Sequence, residues 1–151
     1  MTDELFSRFK IPGQIVIITG GAGLLGYQHA AAAISGGGIP ILLDVNQKQV
    51  KMKADMLAAE YSAECYGCHA DITNKKSVQE VCSELINQFG KIDILINNAA
   101  NDPKVTTPLG EKPWSRFENF PEDIWDKDLA VGLKGSFICS QVFGKDRKSV
   151  V

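Results

Sequence analysis

The chain has 151 residues, with 16 Lys and Arg against 18 Asp and Glu for a formal net charge of −2, and is 44% hydrophobic and 23% charged. That is the balance of an ordinary globular domain long enough for one core, and it provides no basic face for nucleic acid to bind by counterion release. No apolar run approaches the roughly 20 residues of a membrane helix: even Ala30 to Ile34 runs into Ser35 and three glycines. Asp3 and Glu4 stand where a secretory leader would be basic, so the chain is expected in the cytoplasm and Cys65, Cys68, Cys82 and Cys139 are not expected to form disulfides.

Gln14 to Thr19 is a short β-branched run that stops at Gly20-Gly21-Ala22-Gly23, the pattern of a strand buried on both faces. The Ala-rich segment from Leu24 to Ile34 reads as a helix ending at Gly36-Gly37-Gly38, where residues without Cβ can take a left-handed cap. A second strand, Ile39 to Leu43, ends in Asp44. Asn46 is placed to cap the next helix, whose Val50, Ala54, Leu57, Ala58 and Tyr61 fall on one face. A weaker third strand lies around Glu64 to Ala70. Asp71-Ile72-Thr73-Asn74 then leads into a helix with Val78, Val81, Cys82, Leu85, Ile86 and Phe89 on one face. The fourth strand is Ile92 to Ile96.

Between Ala100 and Pro121, Pro103, Pro108, Pro113 and Pro121 interrupt any periodic pattern, which predicts a loop long enough to serve function. A last helix starts near Pro121-Glu122-Asp123, with proline and acids where a helix favours them. It is expected to carry Trp125, Leu129, Leu133 and Phe137 inward. Strands alternating with helices predict an α/β fold, a Rossmann-like doubly wound parallel sheet of order 3-2-1-4, here incomplete.

Gly21-x-Gly23-x-x-Gly26 sits between the first strand and first helix, and Asp44 ends the second strand about twenty residues on. Each part has a physical task. Glycines let the backbone turn tightly and approach a pyrophosphate, the helix N-terminus presents aligned N–H donors, and the carboxylate accepts hydrogen bonds from an adenosine ribose. Asp44 would repel a 2′-phosphate, and no Arg or Lys stands at Gly21, Val45 or Asn46 to compensate, so NAD is expected rather than NADP.

Three segments together resemble the short-chain dehydrogenase/reductase family: Thr19-Gly20-Gly21-Ala22-Gly23-Leu24-Leu25-Gly26, Asp71-Ile72-Thr73, and Asp93-Ile94-Leu95-Ile96-Asn97-Asn98-Ala99-Ala100. The likeness runs from about residue 12 to residue 144. It implies that Gly20, Gly23, Leu24, Leu25 and Asp44 bind the cofactor, that Asp71 and Ile72 meet the adenine, and that Asn98, Ala99 and Ala100 border the riboses and stabilise the sheet. The glycine spacing is that of the extended members, whereas Asn-Asn-Ala-Ala is typical of compact ones. Val131-Gly132-Leu133-Lys134-Gly135-Ser136-Phe137 is similar to the family's Val-Asn-Leu-x-Gly-x-Phe, with Gly132 where the family has the Asn that helps hold a proton-relay water.

The family's catalytic Ser and Tyr-x-x-x-Lys follow the helix at which this sequence stops. That chemistry needs a lysine-acidified phenol to exchange a proton with the substrate oxygen as hydride moves. Four residues after Tyr27, Tyr61 and Tyr66 come Ala31, Cys65 and Ala70, so no catalytic residue is assigned. Residues 1–145 are expected to be an NAD-binding Rossmann domain, and residues 146–151, which look like a translated sequencing adapter, a non-native tail.

The expected function is that of an oxidoreductase interconverting an alcohol and a ketone on a small polar substrate, the chain carrying the cofactor-binding half and inactive by itself, and its parent a homo-oligomer without nucleic-acid or membrane partners. The alternatives are an extended-type sugar-nucleotide epimerase or dehydratase and a non-catalytic dinucleotide-binding module.

Cys65-Tyr66-Gly67-Cys68-His69 matches a haem-attachment spacing, but it reads as a sheet strand, and no second cysteine pair at zinc spacing accompanies it, so no metal is expected. His29 is expected as a partly buried structural histidine. Trp114, Arg116 and Phe117 are candidates to border a substrate pocket.

Overall fold

In the computed structural model, which describes residues 7–101 and 117–146, four strands form one parallel sheet. They are β1 Ile15–Thr19, β2 Ile39–Asp44, β3 Tyr66–His69 and β4 Ile94–Ile96. The order is β3-β2-β1-β4, with β1 in register against Ile39–Leu43 on one side and Ile94–Ile96 on the other. The expected order is therefore found. Between strands run α1 Leu24–Ser35, α2 Gln47–Tyr61 and α3 Lys75–Phe89. After the residues outside the description comes α4 Glu122–Leu129, continuous through a π turn Ala130–Gly135 with α5 Ser136–Phe143.

β1 is buried along its whole length because helices cover both faces of the sheet. Val16, Ile18 and Leu42 face Ala30, Ala33, Val50, Ala54 and Leu57 of α1 and α2. Ile15, Ile17, Ile41 and Leu43 face Val78, Val81, Leu85, Ile138, Cys139 and Phe143 of α3 and α5. Removing each such aliphatic side chain from water contributes about 1.5–3 kcal/mol.

The local signals act as read. Asn46 accepts the Gln49 N–H at 3.1 Å, and Asn74 accepts those of Lys76 and Ser77 at 3.0 and 3.4 Å. After α1 the left-handed residue is Gly37, at φ 87°, not the capping Gly36. β4 is shorter than expected: just before it the Asp93 N–H donates to the Ile15 carbonyl at 3.1 Å, but the Ile15 N–H is taken by the Asp93 carboxylate at 2.8 Å, which also pairs with the Lys91 ammonium at 2.9 Å.

The last helix turns the opposite way from the expectation. Trp125, Leu129, Leu133 and Phe137 are 53, 40, 68 and 62% exposed. Its sheet-facing side is set at Gly135, where an added Cβ would lie 2.6 Å from Ile72 Cδ1, and from there Ile138, Cys139 and Val142 follow inward. Tyr61 and His29 are also exposed rather than inward. Cys65 packs on the α1–α2 side of the sheet and Cys68 on the α3–α5 side, so the two thiols point to opposite faces and cannot grip one group. All four cysteines are free. No described helix is long and apolar enough to cross a membrane. Of the expected tail, residues 147–151 lie outside the described residues, as do Trp114, Arg116 and the side chain of Phe117.

Candidate functional site

At the C-terminal ends of β1 and β4 the chain is drawn together by one buried hydroxyl. Thr19, 1% exposed, accepts the N–H groups of Asn98 and Ala99, both at 3.0 Å. Asn98 answers with its side-chain amide, donating to the carbonyls of Thr19 at 2.9 Å and Gly20 at 3.3 Å. The backbone that follows can come this close only without side chains. Gly20 sits at φ 64°, and a Cβ there would lie 2.8 Å from Ala99 Cα. At Gly21 a Cβ would meet Leu42 Cβ at 2.6 Å, and at Gly26 the Gly20 carbonyl oxygen at 2.4 Å.

This turn delivers the chain into α1 with Gly23 as its N-cap and no side chain bonding its first amides. The first turn therefore presents open N–H donors and the positive end of the helix dipole. Leu24 and Leu25, 82 and 64% exposed, flank it. Asp44 is fixed beside the turn: one carboxylate oxygen accepts the Ala22 N–H at 3.2 Å and the other the Asn46 N–H at 3.0 Å. A carboxylate held this way by two amides keeps its remaining lone pairs for a ligand's hydroxyls.

A cleft of about 190 Å³ lies between the strand ends, lined by Gly20, Leu43, Asp44, Val45, Ala70, Asp71, Ile72, Thr73, Ala99, Ala100, Asn101 and Val131. Six of the expected residues meet there: Gly20, Asp44, Asp71, Ile72, Ala99 and Ala100. Gly23, Leu24 and Leu25 stand at the adjoining helix end, and Asn98 lies behind, turned to the glycine turn. Asp71 spends one oxygen on the Thr73 N–H and hydroxyl, at 2.9 and 2.7 Å. Ile72 is 6% exposed and is as much a core residue as a wall. A larger groove, about 520 Å³ between α3 and α5, is lined by Lys75, Gln79, Cys82, Ser83, Gln141, Val142 and Lys145, none of them an expected cofactor residue.

Two residues go unmarked in the sequence pattern: Asn101, whose amide donates to Asp128 of α4 at 2.8 Å, and Thr19 as the hub. A polar residue closing an otherwise apolar buried strand was the available signal for Thr19. Neither Tyr27 nor Tyr66 is acidified. Tyr27 is pushed up to about 12 by its hydrogen bond to the Glu60 carboxylate, and Tyr66 is raised by its bond to Glu64. Gly132 faces open space, with nothing within 4 Å of an added Cβ.

The family model described as short chain dehydrogenase matches residues 14–148. The chain belongs to that family. Its relatives include an NAD-dependent glycerol dehydrogenase of Listeria innocua, 32% identical over 147 residues that make up 97% of this chain and 52% of that protein. Short-chain dehydrogenase folds superpose on it: NAD+-bound xylitol dehydrogenase at TM-score 0.75 and 24% identity, covering 89% of this chain and 48% of that one, and NADPH-dependent 3-quinuclidinone reductase from Rhodotorula rubra at TM-score 0.73 and 23% identity, covering 93% and 50%. The chain thus spans about half the length of the relatives it matches.

Proposed function

We propose that this short-chain dehydrogenase chain supplies the NAD-binding half, residues 1–145, of a cytoplasmic oxidoreductase that interconverts an alcohol and a ketone on a small polar substrate. The observation that carries the cofactor reading is Asp44, anchored by two backbone amides at the edge of a glycine turn and beside an uncapped helix end. The glycines let the turn form, since a Cβ at Gly20 would meet Ala99 and one at Gly26 the turn's own backbone, and the turn so formed aims the open amides of α1 at the place a pyrophosphate would take. A carboxylate at this place accepts ribose hydroxyls and repels a 2′-phosphate. Bound NAD would supply hydride transfer. What the chain itself does is orient the dinucleotide: Asp44 holds the adenosine ribose, the first amides of α1 neutralise the pyrophosphate, Asp71 and Ile72 wall the adenine, and Ala99 and Ala100 border the second ribose. A small polyol is the favoured substrate class, because a glycerol dehydrogenase and a D-threitol dehydrogenase are among the relatives.

Calorimetric titration tests this. NAD is expected to bind at least tenfold more tightly than NADP, and Asp44→Ala to abolish the preference; equal affinities in the wild-type chain overturn it. Because the chain holds no Tyr-x-x-x-Lys, no NADH is expected to form when it is mixed with NAD and glycerol or xylitol, and measurable turnover defeats that part of the reading.

The parent is further proposed to assemble with copies of itself through the outer face of the last helix. In an α-helix, residues four apart drift about 40° per step. The π turn, whose wider winding needs more than four residues per turn, takes back that drift, leaving Trp125, Leu129, Leu133 and Phe137 in one ridge. Glu122, Asp123, Asp126 and Asp128 make its first half net acidic even with Lys127, which pairs with Asp123 at 3.3 Å, whereas its second half carries Lys134 and is followed by Lys145. Two copies packed antiparallel about a twofold axis set each acidic half against a basic one.

A further inference from the structure

α4 presents a peculiarity. It buries none of its residues, yet the π turn that continues it carries Val131 into the wall of the cleft. Among the described residues, one hydrogen bond ties α4 to the strand ends, that from the Asn101 amide to the Asp128 carboxylate at 2.8 Å, across 27 positions of sequence. Asn101 itself lines the cleft, three residues beyond Asn98 and its grip on the glycine turn. Asp128 lies one helical turn before Val131 and is half-buried. The pair therefore closes a frame around the cleft: glycine turn, Asn98 to Asn101, then α4 and Val131.

From this we infer that Asn101 and Asp128 form a clamp, a positioning pair that fixes the distance between Ala100 and Val131 and so the width of the cleft on its β4 side. The inference rests on the dinucleotide reading above, under which the adenosine ribose sits on Asp44 at the end of β2. The second nucleoside is then directed toward β4, where the clamp lies. Neither side chain need touch the cofactor. Their work is to tie down the first turns of a helix whose buried residues all lie further along, from Gly135 onward. The consequence is specific: loosening the clamp weakens binding of the whole dinucleotide but not of its adenosine half.

AMP and NAD are therefore titrated separately into wild-type chain, Asp128→Ala, Asn101→Asp and the swap Asn101→Asp/Asp128→Asn. The swap restores an amide facing a carboxylate with the roles exchanged, so the four proteins form a double-mutant cycle. Each single variant is expected to bind NAD about five-fold or more weakly, with AMP affinity and melting temperature as in the wild type, and the swap to regain NAD affinity. Unchanged NAD binding in both single variants overturns the clamp, as does equal loss of AMP and NAD, or a swap no better than its parents. If the wild-type chain binds neither nucleotide, the dinucleotide reading itself is overturned and the clamp falls with it, an outcome that unchanged AMP binding distinguishes from failure of the clamp alone.

Discussion

Two helices pack on opposite faces of the sheet and treat their apolar residues in opposite ways. α1 buries Ala30, Ala31 and Ala33 against the sheet and leaves Leu24 and Leu25 exposed only at its first turn, beside the glycines. The helix from Glu122 to Phe143 exposes Trp125, Leu129, Leu133 and Phe137 along its length and fits the sheet with Gly135, Ile138, Cys139 and Val142. The difference teaches that close fit to a sheet is made by small residues. Large apolar residues at helical spacing mark a face that something must cover, without saying whether that is the chain's own sheet. Among the described residues, α1 keeps its large apolar residues out of solvent except at its first turn, whereas the last helix is covered on one side only.

The contrast is broken most forcefully at Gly26. Gly26→Ala puts a methyl group 2.4 Å from the Gly20 carbonyl oxygen and is expected to cost about 3 kcal/mol or more, read as a lower urea midpoint together with loss of NAD binding. Retention of both would show that the turn yields where the geometry says it cannot. Next comes Thr19→Val, which strands the Asn98 and Ala99 N–H groups; a loss of about 2–3 kcal/mol is expected by urea denaturation.

On the last helix the expected effects on folding are small. Leu133→Glu, at a position 68% exposed, should leave stability within about 0.5 kcal/mol while shifting sedimentation toward monomer. An unchanged sedimentation profile removes the ridge from the assembly reading. Gly132→Ala, which meets nothing within 4 Å, should raise stability by about 0.5 kcal/mol, since alanine loses less backbone freedom on folding; a decrease would mean that the π turn needs its glycine.

Much of the fold was readable because its signals are local. Period distinguishes QIVIIT from the Ala-rich run after it, Asn46 announces its helix through its own side chain, and Gly20 to Gly26 announce a turn through the Cβ atoms they lack. Six of the expected cofactor residues meet in one cleft for the same reason: each stands at, or within four residues beyond, the C-terminal end of a strand whose place in a parallel sheet is set by the crossover rule. What escaped the reading depends on partners far along the chain. Nothing near Asp128 names Asn101, and nothing near Thr19 names Asn98. The inward face of the last helix depends on Gly135 meeting Ile72, a contact across 63 positions (135 − 72), and a run with apolar residues on two sides offers two equally periodic answers.

The hydroxyl of Thr19 has a consequence in time. Its partners, Asn98 and Ala99, lie 79 and 80 residues later, so a ribosome has made the first strand, the glycine turn and two more strands well before the residues that lock that turn exist. The opening β-α-β unit can collapse early on local contacts, but its phosphate-facing backbone reaches its final shape only when β4 docks beside β1. Long-range closures of this kind are slow steps. The site that comes first in the sequence is thus completed among the last parts of the fold, and a nucleotide present during synthesis would find its pocket only after residue 99 had emerged.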